Sequence, residues 1–178
     1  MPRNNLNTAK HAIAAASFIT LNAMAQSTGP NKVYLEQIGD NNTITVQQVG
    51  GTNNVGGTGG NSSVSGTNVT TLTPDAPSTN NYATVTGSNN SVTLNQTGSN
   101  NSAQYNITGS NNSYSSTISG NNNQTKLTVG GANAAVNNNS ITETVTGNTN
   151  MAITTVSAGN VTSALSITGS TNQVTLDL

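Results

Sequence analysis

The stretch Asn90-Ser-Val-Thr-Leu-Asn-Gln-Thr-Gly98-Ser-Asn-Asn101-Ser-Ala-Gln-Tyr-Asn-Ile-Thr-Gly109-Ser-Asn-Asn112 decides the fold. Glycines recur at Gly87, Gly98, Gly109, Gly120 and Gly131, eleven residues apart, and asparagines at Asn90, Asn101, Asn112 and Asn123 with the same spacing. A self-similar period this short marks a stacked repeat, whose units cannot bury an apolar side alone and do so against their neighbours. Inside a unit the residues two, four and six places after the asparagine share one side, because strand side chains alternate. That side reads Val92, Leu94, Gln96; Ala103, Tyr105, Ile107; Tyr114, Ser116, Ile118; Thr125, Leu127, Val129. The opposite side is mostly Ser, Thr, Asn and Gln, with Lys126 its one charge in this stretch. The alternation predicts strands with one dry face and one wet face.

The frame extends in both directions. Upstream it fits Asn31 with Val33, Leu35 and Gln37, then Gly39, and Asn42 with Ile44, Val46 and Gln48, then Gly50. Downstream, after five extra residues, it resumes at Asn139 with Ile141, Glu143 and Val145, and continues through Asn150 to Asn172 with Val174, Leu176 and Leu178. Gly159 arrives one place late and the next unit is correspondingly short. Between 51 and 86 the frame loosens into Gly56–Gly60 and the turn signal Pro74-Asp75-Ala76-Pro77. This stretch reads as weaker units carrying a loop, or as a flexible linker between two stacks. Counting it as weak units gives thirteen units from Asn31 onward, three of them poorly formed.

Two such strands, running in opposite directions and joined by an x-Gly-x-x-Asn turn, would face each other across a thin core. Stacked at ~4.8 Å, they place equal positions above one another and complete the backbone hydrogen bonds except at the ends. The expectation is an all-β, amyloid-like β-solenoid of strand–turn–strand rungs, with about 22 residues per rung and about 11 per strand–turn unit. The turn glycines Gly39, Gly87, Gly98, Gly109, Gly120 and Gly131 suit positive φ, and the asparagines suit local hydrogen bonds or the left-handed region. Stacked Asn and Gln side chains can form ladders, for which Gln37, Asn42, Gln48, Asn90, Gln96, Asn101, Asn112 and Asn123 are the candidates. Glu143 is the one charge in the inward frame. An unpaired buried charge is costly, so it is expected at an irregular corner beside the 132–138 insertion.

Composition narrows the function. Only 5% of the 178 residues are charged, against roughly 25% in ordinary soluble domains. There is no cysteine to form disulfides and no basic run to meet nucleic acid or an anionic membrane. Arg3 and Lys10, the apolar Ala12 to Leu21, and Ala23-Met24-Ala25 have the anatomy of a secretory leader cleaved before Gln26. An amphipathic surface helix is the other reading of those residues. The expected organisation is a leader over 1–25, an N-terminal segment with the first repeats over 26–50, the degenerate stretch 51–86, and a regular stack over 87–178. No membrane insertion is expected after cleavage. The only histidine, His11, would leave with the leader, and the remaining carboxylates are spread singly. A nucleophile with its base, paired acids or a metal cluster are therefore hard to assemble, and neither an enzyme nor a cofactor is expected.

Gln37-Ile-Gly39-Asp-Asn-Asn42-Thr-Ile44-Thr-Val-Gln47-Gln48 and Gln96-Thr-Gly98-Ser-Asn-Asn101-Ser-Ala103 resemble the curlin repeat of bacterial curli fibre subunits. Ile44 stands where the repeat has alanine. Ile107, Ile118, Val129, Val145 and Ile167 stand at its second glutamine, which favours a more apolar core. The resemblance implies export through the periplasm and a dedicated outer-membrane pore, nucleation by partner proteins, and self-assembly into extracellular amyloid fibres serving adhesion and biofilm. It further implies that Asn and Gln at the ladder positions promote assembly, while turn residues such as Asp40 act as gatekeepers that slow it. The frame running to Leu178 without a polar cap agrees with end-to-end growth. The alternatives are a monomeric β-solenoid adhesin or ice-binding protein displaying rows of Thr and Ser, and a disordered low-complexity chain.

Overall fold

Alternating small β-branched and polar residues give every unit a side that can be dried and a side that stays wet. In the computed structural model of the chain these units are strands. The structure describes residues 12–13, 18–24, 31–33, 35–56, 83–131 and 135–178. Its strands are β1 (Ala12–Ile13), β2 (Phe18–Met24), β3 (Lys32–Val33), β4 (Leu35–Ile38), β5 (Thr43–Val49), β6 (Asn54–Val55), β7 (Ala83–Thr86) and β8 (Ser91–Thr97). They continue with β9 (Ser102–Thr108), β10 (Ser113–Ser119), β11 (Gln124–Val129), β12 (Ser140–Thr146), β13 (Met151–Val156), β14 (Thr162–Thr168) and β15 (Gln173–Asp177). No helix occurs among the described residues.

The strands form two sheets. One has nine strands along the path β1-β4-β7-β9-β11-β13-β15, with β3 and β6 beside it; the other runs β14-β12-β10-β8-β5-β2. From β8 onward successive strands enter the two sheets in turn, so the chain coils. All pairings are parallel. The register keeps equal frame positions in line: Val92 lies beside Tyr114, Tyr114 beside Ile141 and Ile141 beside Ser163. Parallel strands need such crossovers, and an all-β chain can supply them only by coiling through a second sheet. This is a solenoid-like arrangement.

The inward positions form a hydrophobic core in two clusters, a large one that includes Leu94, Tyr105 and Leu127 and a smaller one of Val145, Ala152 and Ile167. Leu94, Ile107, Ile118 and Leu127 are fully buried, each side chain contributing ~1.5–3 kcal/mol through removal from water, and Tyr105 is buried among them. Tyr105 and Tyr114 pack as core filler, their rings tilted by 55° with centroids 6.2 Å apart.

The structure corrects the expected count of units. Val55 pairs with Ala103 and Val85 with Ile107, so β6 and β7 are two pieces of one strand interrupted between Gly56 and Ala83. Within the degenerate stretch, the described residues on either side of 57–82 therefore belong to one unit of the stack. Among the described residues eleven units run from Asn31 to Leu178, against the thirteen expected. The stretch 57–82, including Pro74, Asp75 and Pro77, lies outside the described residues, as do Arg3, Lys10 and the junction at Ala25. Within the segment read as a leader, β1 pairs with β4 and β2 with β5.

Candidate functional site: the asparagine ladders at the corners

Each corner between sheets repeats one turn. Gly98 (φ 110°) and Gly120 (φ 121°) open it in a backbone region closed to other residues. A Cβ on Gly98 would run into the Gly120 carbonyl oxygen of the next level, so close stacking also demands glycine. The second left-handed residue is Asn100 (φ 59°) or Asn122 (φ 57°), directly before the ladder asparagine. Left-handed geometry thus belongs to the first member of each Asn-Asn pair, and the second member turns its side chain inward. Asn41-Asn42, Asn89-Asn90 and Asn111-Asn112 repeat this division, with Asn41, Asn89 and Asn111 at φ 55°, 57° and 59°. Local side-chain bonding lets asparagine tolerate that region.

The inward asparagines are buried and linked level to level. Asn123 Nδ2 donates to Asn101 Oδ1 (3.1 Å) and to the Gly147 carbonyl (2.8 Å). Its own Oδ1 accepts the backbone N–H (3.0 Å) and Nδ2 (3.1 Å) of Asn150. Asn172 repeats both contacts on Asn150 Oδ1 (3.0 and 3.0 Å). The same column begins with Asn31 and Asn53: Asn53 N–H donates to Asn31 Oδ1 (3.0 Å) and Asn101 N–H to Asn53 Oδ1 (3.0 Å). At the opposite corner Asn42, Asn90, Asn112 and Asn139 form a second column. There Asn90 Nδ2 donates to Asn42 Oδ1 (3.1 Å), Asn112 Nδ2 to Asn90 Oδ1 (3.1 Å), and Asn139 Nδ2 to Asn112 Oδ1 (2.9 Å). One amide in each of these units thus satisfies turn groups that the sheets leave unpaired, which is what burial requires.

The candidates Asn42, Asn90, Asn101, Asn112 and Asn123 all stand in these columns. Asn31, Asn53, Asn139, Asn150 and Asn172 belong with them although they were not among the ladder candidates. Their signal was already present, since each begins a unit of the frame. Val161 takes the next place in the second column, donating its N–H to Asn139 Oδ1 (2.8 Å) but carrying no amide.

Glutamines unite less. Gln48 Nε2 donates to Gln96 Oε1 (2.8 Å), but Gln96 then meets Ile118 in register, and Gln37 lies beside Val85. The glutamine ladder is two residues long, because apolar residues hold its place above. Asp40 is exposed in its turn, where its carbonyl accepts the Asn89 N–H (3.0 Å).

Gly131 is not a turn glycine of the stack. Gly130 holds the positive φ (70°), a Cβ on Gly131 would meet nothing within 4 Å, and Val136 supplies the carbonyl above Gly109. Val136 thus stands where the period puts Gly131, so the period in the sequence continues past the point where the fold departs from it.

Glu143 is a second correction. It sits mid-strand in β12, only 2% exposed, and not at a corner. Its Oε2 accepts the Tyr114 hydroxyl (2.7 Å) and stands 3.4 Å from the Ser116 hydroxyl, while Oε1 has no partner. Burial pushes its pKa from 4.5 up to about 7, against the opposing pull of these two hydroxyls. A carboxyl that can remain protonated avoids the cost that argued against burial. Burial, then the Glu143 charge, raises the Tyr114 pKa well above its usual value.

The outer faces differ. On the nine-stranded sheet Ser102, Gln104 and Ile153 are buried, and half-buried Lys126 has its pKa lowered by burial. The outward rows of the six-stranded sheet are mainly hydroxyls: Thr45, Thr93, Ser115 and Thr142 lie in line, and so do Val49, Thr97, Ser119, Thr146 and Thr168, of which only Val49 lacks a hydroxyl. Among the described residues no three His, Cys, Asp or Glu side chains gather as a metal site. Comparison with protein-family models, with characterised proteins and with solved structures gives no match.

Proposed function

We propose that this chain is a secreted structural subunit that assembles end to end into curli-like, amyloid-like fibres of the bacterial extracellular matrix. Its stack would be a β-solenoid with about 22 residues per rung. The observation that carries this reading is the pair of asparagine columns: each level offers the next the groups it accepted from the last. A structure built by such repetition has ends that template further copies. Self-association is then the chain's activity. Gln48 and Gln96 add a short ladder of their own, Asp40 is the gatekeeper of its turn, and export and nucleation fall to curli-type partners. The purified protein should form fibres under the electron microscope and diffract at ~4.7 and ~10 Å. Soluble protein that stays monomeric at high concentration would refute this.

A second reading, a monomeric adhesin or ice-binding solenoid, draws on the hydroxyl face. Lys126, Gln104 and Asn106, which break the Thr and Ser rows in the sequence, all lie on the nine-stranded sheet. From β5 to β14 the six-stranded face is left with Gln47, Asn95, Val49 and Ala164 as its interruptions. Concentration-independent sedimentation together with binding to ice or glycan would favour this reading.

A further inference from the structure

Resting on the fibre reading, we propose that successive copies of the 31–178 stack join with a half-turn about the stacking axis. β15 of one copy then pairs with β5 of the next, and β14 pairs with β3 and β4. Parity is the first reason. Taking β3–β4 and β6–β7 each as one interrupted strand, the stack holds eleven strands, six in the nine-stranded sheet and five in the other. Stacked without rotation, β15 meets β3–β4 in one sheet and the other sheet lacks a strand between β14 and β5. Because both corners carry the same turn, a half-turn lets the coil continue through the junction with no strand missing.

Hydrogen bonding gives the same answer independently. Among the described residues nothing donates to Asn172 Oδ1, and Asn172 Nδ2 has no glycine carbonyl above it like the one Asn150 finds at Gly169 (2.8 Å). At the other end no asparagine amide of the described residues reaches the Gly39 carbonyl, although Gly87 receives one from Asn42 (2.8 Å). The half-turn sets the Gly39–Asn42 turn over Asn172, so donor meets acceptor. Without rotation that turn lies in the column ending at Val161, which has no amide to offer.

Side chains agree. The unrotated register places Asp177 beside Glu36, both five residues after their asparagines, and like charges directly opposed on paired strands repel. The half-turn places Asp177 beside Gln47 and Glu36 beside Ser166. It also covers the half-buried Val174 and Leu176 with Ile44 and Val46, and Leu165 with Leu35. In the full chain β2 lies along the β5 edge, Thr20 beside Thr45, so this segment and a second copy compete for one site. Leader removal would therefore precede growth.

Cysteine pairs can read the register, since the natural chain has none. Paired positions on adjacent parallel strands are ~4.8 Å apart, within disulfide reach. Full-length T45C/T175C and E36C/D177C double variants would be expressed with the leader left to cellular processing, assembled, and oxidised. T45C/T175C fibres should give a covalent ladder of multimers on non-reducing gels, and E36C/D177C fibres should not. Cryo-electron microscopy should find a rise of about 26 Å per copy, with alternate copies in equivalent orientation. A ladder from E36C/D177C alone, or fibres giving none with either pair, overturns the half-turn and leaves the fibre reading standing. No fibres from the unmodified protein overturns both.

Discussion

Replacing Asn123 is the sharpest test of what holds the stack together. Asn123→Ala removes both Nδ2 bonds and the oxygen that serves Asn150, leaving the Gly147 carbonyl and the Asn150 N–H without their partners. Each stranded buried group costs about 1–3 kcal/mol, so a loss of ~4 kcal/mol is expected. Asn123→Asp keeps the shape but replaces the donor with an oxygen, which would face the Asn101 Oδ1 and Gly147 oxygens at 3.1 and 2.8 Å. The isosteric change should therefore cost at least as much as truncation. Urea denaturation of the unassembled protein, followed by far-ultraviolet circular dichroism, reads the difference, with Asn122→Ala as a neighbouring control. Asn122 gives up only its left-handed tolerance (φ 57°), worth ~1–2 kcal/mol. If Asn123→Asp were as stable as the natural protein, the columns would be space-filling and the hydrogen-bond reasoning wrong.

The two glycines should behave oppositely in thermal melts. Gly120→Ala meets the Gly147 carbonyl and should prevent a stable stack, whereas Gly131→Ala meets nothing and should stay within about 0.5 kcal/mol of the parent. Glu143 should make stability fall as pH rises. Its folded pKa of about 7 exceeds the ordinary 4.5, so the folded state keeps the proton longer, stability is full below pH 4.5, and ~3 kcal/mol is lost by pH 7 to 8 at 1.36 kcal/mol per pH unit. Melting temperature against pH should lose that slope in Glu143→Gln; an unchanged slope would place the titration elsewhere. Deleting 57–82 should leave the melting temperature within a few degrees of the parent, because Gly56 and Ala83 occupy the two adjacent places between Val55 and Thr84 in register. Collapse of the β-sheet signal on deletion would refute the interrupted strand.

The sequence by itself determined the period, the strands, the inward face and most of the ladder. Eleven-residue spacing and strict alternation are local and regular, and a stack preserves them by placing equal positions in line. It also marked Asn42, Asn90, Asn101, Asn112 and Asn123 as equivalent positions, because each starts a unit. Tertiary structure alone decided where the frame departs from the fold. That β6 and β7 belong to one strand is held in the pairing of Val55 with Ala103 and Val85 with Ile107 and not in any local spacing. Gly131 kept the period but lost the turn, since the chain had already left the column. Glu143 looked too costly to bury until Tyr114, 29 residues earlier in the chain, supplied a hydroxyl at 2.7 Å. The segregation of hydroxyls on one sheet and the mutual fit of the two ends are likewise invisible along the chain. Periodicity states which residues are equivalent; only the coil states which of them touch.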